Sequence, residues 1–128
     1  MSRIRFLLDE NTPHAIRDQQ CPEPVEGLLR RKPEMEVLVI GDDMAPALGT
    51  PDPELLRWIE REGYVLVSRN RRTLSQHLRK HLEDGGHVPG FLLLGRRSSV
   101  GQIVEDLVLI WEVARPEEYR DRAEYLPL

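Results

Sequence analysis

The sequence predicts an α/β fold, a three-layer α/β/α sandwich with a mainly parallel sheet of four or five strands. Short apolar runs with the length of buried strands recur along the chain, and each is followed by a helical pattern or its start signals. Glycine, proline and charged residues mark the boundaries between these segments. Strands that alternate with helices are typical of a parallel sheet with helices on both faces.

The first two predicted strands are Ile4–Leu8 and Glu36–Ile40. After the first strand, Thr12 is expected to cap a helix, and Pro13 would occupy its first turn, where a missing N–H costs nothing. Residues 21–27 contain two prolines and a glycine, so we expect a surface insertion there.

A tight β-α-β unit is predicted around the next helix. Asp52 is expected to cap it, Pro53 to take its first position, and Gly63 to end it. Tyr64–Val67 follows as the third strand, and such a crossover is expected to be right-handed and parallel.

The second half of the chain repeats this pattern. Leucines at every fourth residue from Leu74 to Leu82 predict a helix that ends at Gly85, and Phe91–Leu94 is the fourth strand. Ser99 is expected to cap the last long helix in a capping-box pattern with Gln102. Tyr125 and Leu126 predict a short edge strand.

Length and composition limit the class of protein. At 128 residues, positions 1–128 are expected to form a single domain. The single cysteine, Cys21, excludes a disulfide framework and a cysteine-based zinc site, which favours a reducing cytoplasm. The apolar runs are too short to cross a bilayer, and no signal-type segment follows Met1.

Charge is distributed unevenly along a chain with a net charge of -4. Residues 64–101 carry 7 basic and 2 acidic side chains, a local net charge of +5, whereas both flanking segments are acidic. A local cationic surface can attract a phosphate backbone even when the whole protein is mildly acidic.

Acidic residues follow the first two strands, at Asp9, Glu10, Asp42 and Asp43, and Asp52 begins a helix at the same edge. Because the carboxyl ends of parallel strands meet at one edge of the sheet, we expect these acids to converge. Converging carboxylates repel one another unless a cation neutralises them, and oxygen ligands favour Mg²⁺ or Mn²⁺. Acids before a helix also favour its dipole, so a purely structural interpretation stays open.

Three segments resemble the signature blocks of the PIN-like domain family. They are Leu7–Pro13 (LLDENTP), Thr50–Leu56 (TPDPELL) and Tyr64–Asn70 (YVLVSRN). The resemblance covers nearly the whole chain outside residues 21–27. It implies a PIN-type sandwich, a divalent-metal endoribonuclease acting on RNA, and a toxin-type protein with a small antitoxin-like partner or a homodimer.

The resemblance also implies site residues. Asp9 would be the first metal ligand and Asp52 the second, with Glu10 as a further ligand or a water-orienting base. Asn70 would take a third position, where family members usually carry an aspartate, and Arg72 stands where a further acid is often found. These two departures leave open a catalytically impaired relative that binds RNA or a protein without cleaving.

The arginines beside the strand ends are candidate phosphate contacts, since the guanidinium fork suits a phosphate. They are Arg69, Arg71, Arg72 and Arg96. Arginines after strands also pair with neighbouring acids, and both interpretations stay open. His77 and His81 stand one helical turn apart, a spacing that permits a metal pair but has no evident third ligand.

Overall fold

A parallel sheet, five-stranded within the described residues, forms the centre of the fold. The computed structural model of the chain describes residues 4–9, 32–68, 71–95 and 99–126. The strands are β1 (Phe6–Leu8), β2 (Val37–Val39), β3 (Val65–Ser68), β4 (Phe91–Leu94) and β5 (Ala123–Leu126). They are ordered β2-β1-β3-β4-β5, with every neighbouring pair parallel. The predicted parallel α/β sheet is therefore confirmed.

Three α-helices accompany the sheet within the described residues. They are α1 (Asp52–Glu62), α2 (Arg71–Glu83) and α3 (Val100–Val113), and a short 3₁₀ turn covers Pro116–Glu118. None of these helices is long and apolar enough to cross a membrane. The helix predicted near Pro13 and the predicted insertion at 21–27 lie outside the described residues.

Helices cover both faces of the sheet. Successive residues of a strand point to opposite faces, so each strand contributes apolar side chains to both. On one face, Phe6, Leu8 and Val67 pack in a buried cluster with residues of α3, among them Leu107 and Trp111. The opposite face forms a second buried cluster with α1 and α2, whose members include Leu7, Leu66, Leu55, Leu56, Ile59, Leu74 and Leu78. These two apolar layers make the molecule a three-layer sandwich.

The start of α1 differs from its prediction by one residue. Pro51 is the N-cap, and Asp52 is the first helical residue, with no side-chain hydrogen bond at the cap. The prediction of Asp52 as the cap is wrong by one residue: Pro51 has the extended backbone of an N-cap, at φ -61° and ψ 148°, and Asp52 is already helical. Gly63 ends the helix as predicted, in the left-handed conformation at φ 78°.

Candidate functional site

Asp9 follows β1 directly and is almost buried, with 9% of its surface exposed. Its amide donates a hydrogen bond to the carbonyl of Val67 over 2.9 Å, so the exit from β1 is tied to β3. The hydroxyl of Ser68, itself 0% exposed, donates to Asp9 Oδ2 over 2.6 Å. A carboxylate is thus held in a fixed orientation at the carboxyl end of the central strands.

The position of this pair follows from the sheet. Leu8 aligns with Val67 in the parallel register, so the next residue on each strand, Asp9 and Ser68, come together. In the sheet, β2 lies on one side of β1, and β3, the next strand in the chain, lies on the other side of β1. In open parallel sheets a ligand crevice forms outside the carboxyl ends of the strands at such a reversal. Asp9 and Ser68 therefore lie where this architecture binds ligands.

Asp52, the second predicted ligand, has a different partner. Its Oδ2 lies 3.7 Å from Nε2 of His77 on α2. Asp9 thus accepts a hydrogen bond from β3, and Asp52 lies beside a histidine of α2. Considering only the described part of the chain, no three His, Cys, Asp or Glu side chains are grouped so that they could hold a metal ion.

The remaining predicted site residues fall at gaps in the described chain. Glu10, Arg69, Asn70 and Arg96 lie outside the described residues. Arg71 and Arg72 are the first two residues of α2, and the described part of the chain does not extend to their side chains. Their roles as ligands or phosphate contacts stay predictions.

Asp42, predicted to join the acidic edge, makes local hydrogen bonds with the end of β2. Its Oδ2 accepts a hydrogen bond from the Val39 amide over 2.9 Å, and its own amide donates to the Val39 carbonyl over 3.0 Å. Because β2 is an edge strand, the Val39 amide needs such a partner. Asp43 beside it is exposed.

A second group of ionisable side chains lies toward the opposite end of the sheet, and the sequence did not predict it. Glu60 Oε1 lies 2.6 Å from His81 Nε2 and accepts the His87 amide over 2.9 Å. Asp121 Oδ2 lies 2.9 Å from His87 Nδ1, and Asp121 Oδ1 accepts the Val88 amide over 2.8 Å. The network joins α1, α2 and the segments that lead into β4 and β5.

Hydrogen bonds shift the titration of both acids in this network. The His87 amide, followed by the His81 ring, holds the pKa of Glu60 below its ordinary value. Desolvation alone would raise the pKa of Asp121, but the His87 ring and the Val88 amide outweigh it, and that pKa is also lowered. The network binds the ionised carboxylates and therefore contributes to stability above the ordinary carboxyl pKa.

The substitution Asp121→Asn is expected to reduce the loss of unfolding free energy that acid causes. Since the folded-state pKa of Asp121 lies below the unfolded value, its contribution is present above the unfolded pKa of about 3.9 and is lost as pH falls through the folded pKa. Asparagine keeps an acceptor for Val88 and tolerates the left-handed backbone at φ 59°. Urea denaturation at about pH 7 and about pH 3 should show a smaller drop in unfolding free energy for the variant. The control is Asp43→Asn, at an exposed acid. If the Asp121→Asn variant lost as much unfolding free energy as the wild type, the stabilising role of the ionised Asp121 would be contradicted.

The two histidines predicted as a possible metal pair each contact an acid of α1. His77 faces Asp52, and His81 faces Glu60. Their spacing of one helical turn along α2 therefore serves two contacts between helices in this structure.

A cavity of about 560 Å³ lies beside the network, among the residues that precede β1, β3 and β4. Two of its polar side chains are already engaged with the protein: Arg5 pairs with Glu36 and stacks on Tyr64, and Glu60 holds the two histidine contacts. The cavity is at the other end of the strands from Asp9, so it is separate from the candidate site.

Comparisons of the chain with protein-family models, curated proteins and solved structures found no match. The fold and the position of the Asp9–Ser68 pair are therefore the basis for assigning a function.

Proposed function

We propose that this protein is a divalent-metal-dependent endoribonuclease of PIN-like type. The observation that carries the proposal is the nearly buried Asp9 carboxylate, fixed by Ser68 beside the reversal in strand order. Further support comes from the three sequence segments that resemble PIN-like signature blocks.

The chemistry of Asp9 fits a hard divalent cation. Carboxylate oxygens are the ligands that Mg²⁺ and Mn²⁺ prefer, and a ligating carboxylate is commonly oriented by a hydrogen bond from a neighbouring group. The Ser68 hydroxyl supplies that hydrogen bond on Oδ2. When bound, such an ion activates water and stabilises the leaving oxygen in phosphodiester cleavage.

Other residues of the chain would complete the site. Asp52 would act as a second ligand in competition with His77, which shares its carboxylate. Glu10 would add a ligand or orient the attacking water, and the oxygen of Asn70 would take a third position. Arg71 or Arg72 would contact the phosphate, since both begin the helix that follows β3.

A second candidate is a PIN-like domain that binds RNA or a protein without cleaving. Two residues favour it: Asn70 brings no negative charge to a metal, and Arg72 would oppose one. A site with fewer carboxylates attracts a divalent cation less strongly, which would reduce cleavage before it reduced binding.

A cleavage assay separates the two candidates. Purified protein is incubated with a generic end-labelled single-stranded RNA, with Mn²⁺ or with EDTA. Cleavage by the wild type in Mn²⁺ alone supports the nuclease. An inert wild type with an active Asn70→Asp variant supports the binding domain. The control is Gln76→Glu, which adds an acid on the exposed surface of α2 and should stay inert. The absence of cleavage by all three proteins would overturn the nuclease proposal.

A further inference from the structure

The cavity beside the Glu60 network has the size of a small-molecule site. Its volume of about 560 Å³ falls within the range of roughly 300 to 1,000 Å³ that is typical of ligand pockets. It is bounded by the residues that lead into β1, β3 and β4 and by residues on and after the 3₁₀ turn Pro116–Glu118. We call it the amino-end cavity, because it lies at the amino ends of these strands.

Much of the lining of the amino-end cavity is apolar. Three of its residues are aliphatic and at most 3% exposed, and two are prolines: Ile4, Val65, Val88, Pro89 and Pro116. Such a lining favours a ligand with an apolar body, because binding removes that body from water.

Hydrogen bonds between separate segments hold the walls in place. The Val65 amide donates to the Arg5 carbonyl over 2.8 Å, which joins the entrances of β1 and β3. The Asp121 amide donates to the Val88 carbonyl over 2.9 Å, and the Val88 amide donates to Asp121 Oδ1 over 2.8 Å. Because these walls are already ordered, a ligand does not have to order them on binding, which favours affinity.

Four charged side chains line the cavity, two cations and two acids, and they are Arg5, Arg120, Glu60 and Glu117. One of each sign is engaged with the protein. Arg5 pairs with Glu36 and stacks on the Tyr64 ring, and Glu60 holds the two histidine contacts of the network.

Arg120 and Glu117 are the other cation and the other acid, and both are exposed. Neither makes an ion pair with any of the described residues. The two oxygens of the neighbouring Asp121 lie against His87 Nδ1 and the Val88 amide instead of Arg120. The cavity therefore presents one cation and one anion outside any described ion pair, next to an apolar lining.

We propose that the amino-end cavity binds a free α-amino acid with a large apolar side chain. Arg120 binds the carboxylate of the ligand and Glu117 binds its ammonium group, while the apolar side chain packs against the aliphatic lining. A zwitterion matches a lining with two cations and two acids, whereas a polyanion would be repelled by the acids. The proposal does not depend on the nuclease function, because the cavity and Asp9 lie at opposite ends of the strands.

Three ligands that share a benzyl group and differ in charge test the proposal. L-phenylalanine carries both charges, L-phenylalaninol carries only the ammonium group, and hydrocinnamate carries only the carboxylate. Each is titrated into the isotope-labelled protein, and the amide resonances are followed by NMR. The shifts of the Val65 and Val88 amides give the affinity and locate the site.

The wild type is expected to bind L-phenylalanine at least about 10-fold more tightly than either ligand with a single charge, the scale of one charge-assisted hydrogen bond. The variant Arg120→Gln should lose the preference for L-phenylalanine over L-phenylalaninol. The variant Glu117→Gln should lose the preference over hydrocinnamate. The controls Arg122→Gln and Glu124→Gln change exposed residues that do not line the cavity, and both should keep the two preferences.

A wild type that binds none of the three ligands would overturn the proposal, as would equal affinity for all three. Shifts that leave the Val65 and Val88 amides unchanged would place the ligand elsewhere and overturn it too. Loss of the preferences in the control variants would show that the charges of the lining do not select the ligand. The variant Asp9→Asn should bind L-phenylalanine as the wild type does, so failure of the nuclease proposal and failure of this one are distinguishable.

Discussion

For the proposed nuclease, asparagine in place of Asp9 is expected to lower Mn²⁺-dependent RNA cleavage by at least about 100-fold, the scale on which loss of one stabilising group slows an enzyme. Asparagine has nearly the same shape as aspartate, and its carbonyl can still accept the Ser68 hydroxyl. The substitution therefore removes the negative charge and leaves the local geometry. The cleavage rate at saturating RNA is the measurement, with circular dichroism to confirm the fold.

Asp84→Asn is the matched control for this substitution. Asp84 is exposed and follows the end of α2 that lies away from β3, so its loss should leave the rate within about 3-fold of the wild type. Equal rates for Asp9→Asn and the wild type would mean that Asp9 serves the fold alone.

Alanine in place of Gly90 is expected to lower the free energy of unfolding by at least about 3 kcal/mol. Gly90 precedes β4 at φ 150°, a conformation that side chains rarely adopt. An added Cβ would also lie 2.7 Å from Tyr119 Cβ and 2.8 Å from the Tyr119 carbonyl oxygen. That carbonyl is backbone and cannot rotate away, so β4 or the segment before β5 must shift.

Gly49→Ala is a control for a positive φ without a steric contact. Gly49 also has a positive φ, 83°, but nothing lies within 4 Å of the position of an added Cβ. Its expected cost is about 1 kcal/mol, from the left-handed backbone alone. Urea denaturation of both variants gives the comparison, and equal losses of stability would contradict the contact with Tyr119.

Local signals predicted much of the fold. The apolar run Phe91–Leu94 is β4 with the predicted bounds, and the Ser99 hydroxyl accepts the Gln102 amide over 3.2 Å at the start of α3. The edge strand predicted at Tyr125 and Leu126 is confirmed and begins two residues earlier, at Ala123. These features depend on neighbouring residues, so a short stretch of sequence contains the information.

Contacts between distant segments were harder to predict. Asp9 was identified from its place after a strand, but the role of Ser68 depends on β1 and β3 being neighbours, and no local pattern encodes strand order. The pairing of His87 with Asp121 has the same origin, because β4 and β5 begin side by side. His77 and His81 suggested a metal pair because their spacing is local, whereas their acidic partners lie on another helix.

Manganese binding measured by electron paramagnetic resonance is the most direct test of the central claim, that Asp9 helps to hold a divalent ion at the carboxyl end of β1. Titration of the wild type should show one bound Mn²⁺ per chain, and Mg²⁺ should displace it. The Asp9→Asn variant should bind at least about 10-fold more weakly, while Asp84→Asn should match the wild type. A wild type that binds no Mn²⁺, or an Asp9→Asn variant that binds it equally well, would contradict the claim.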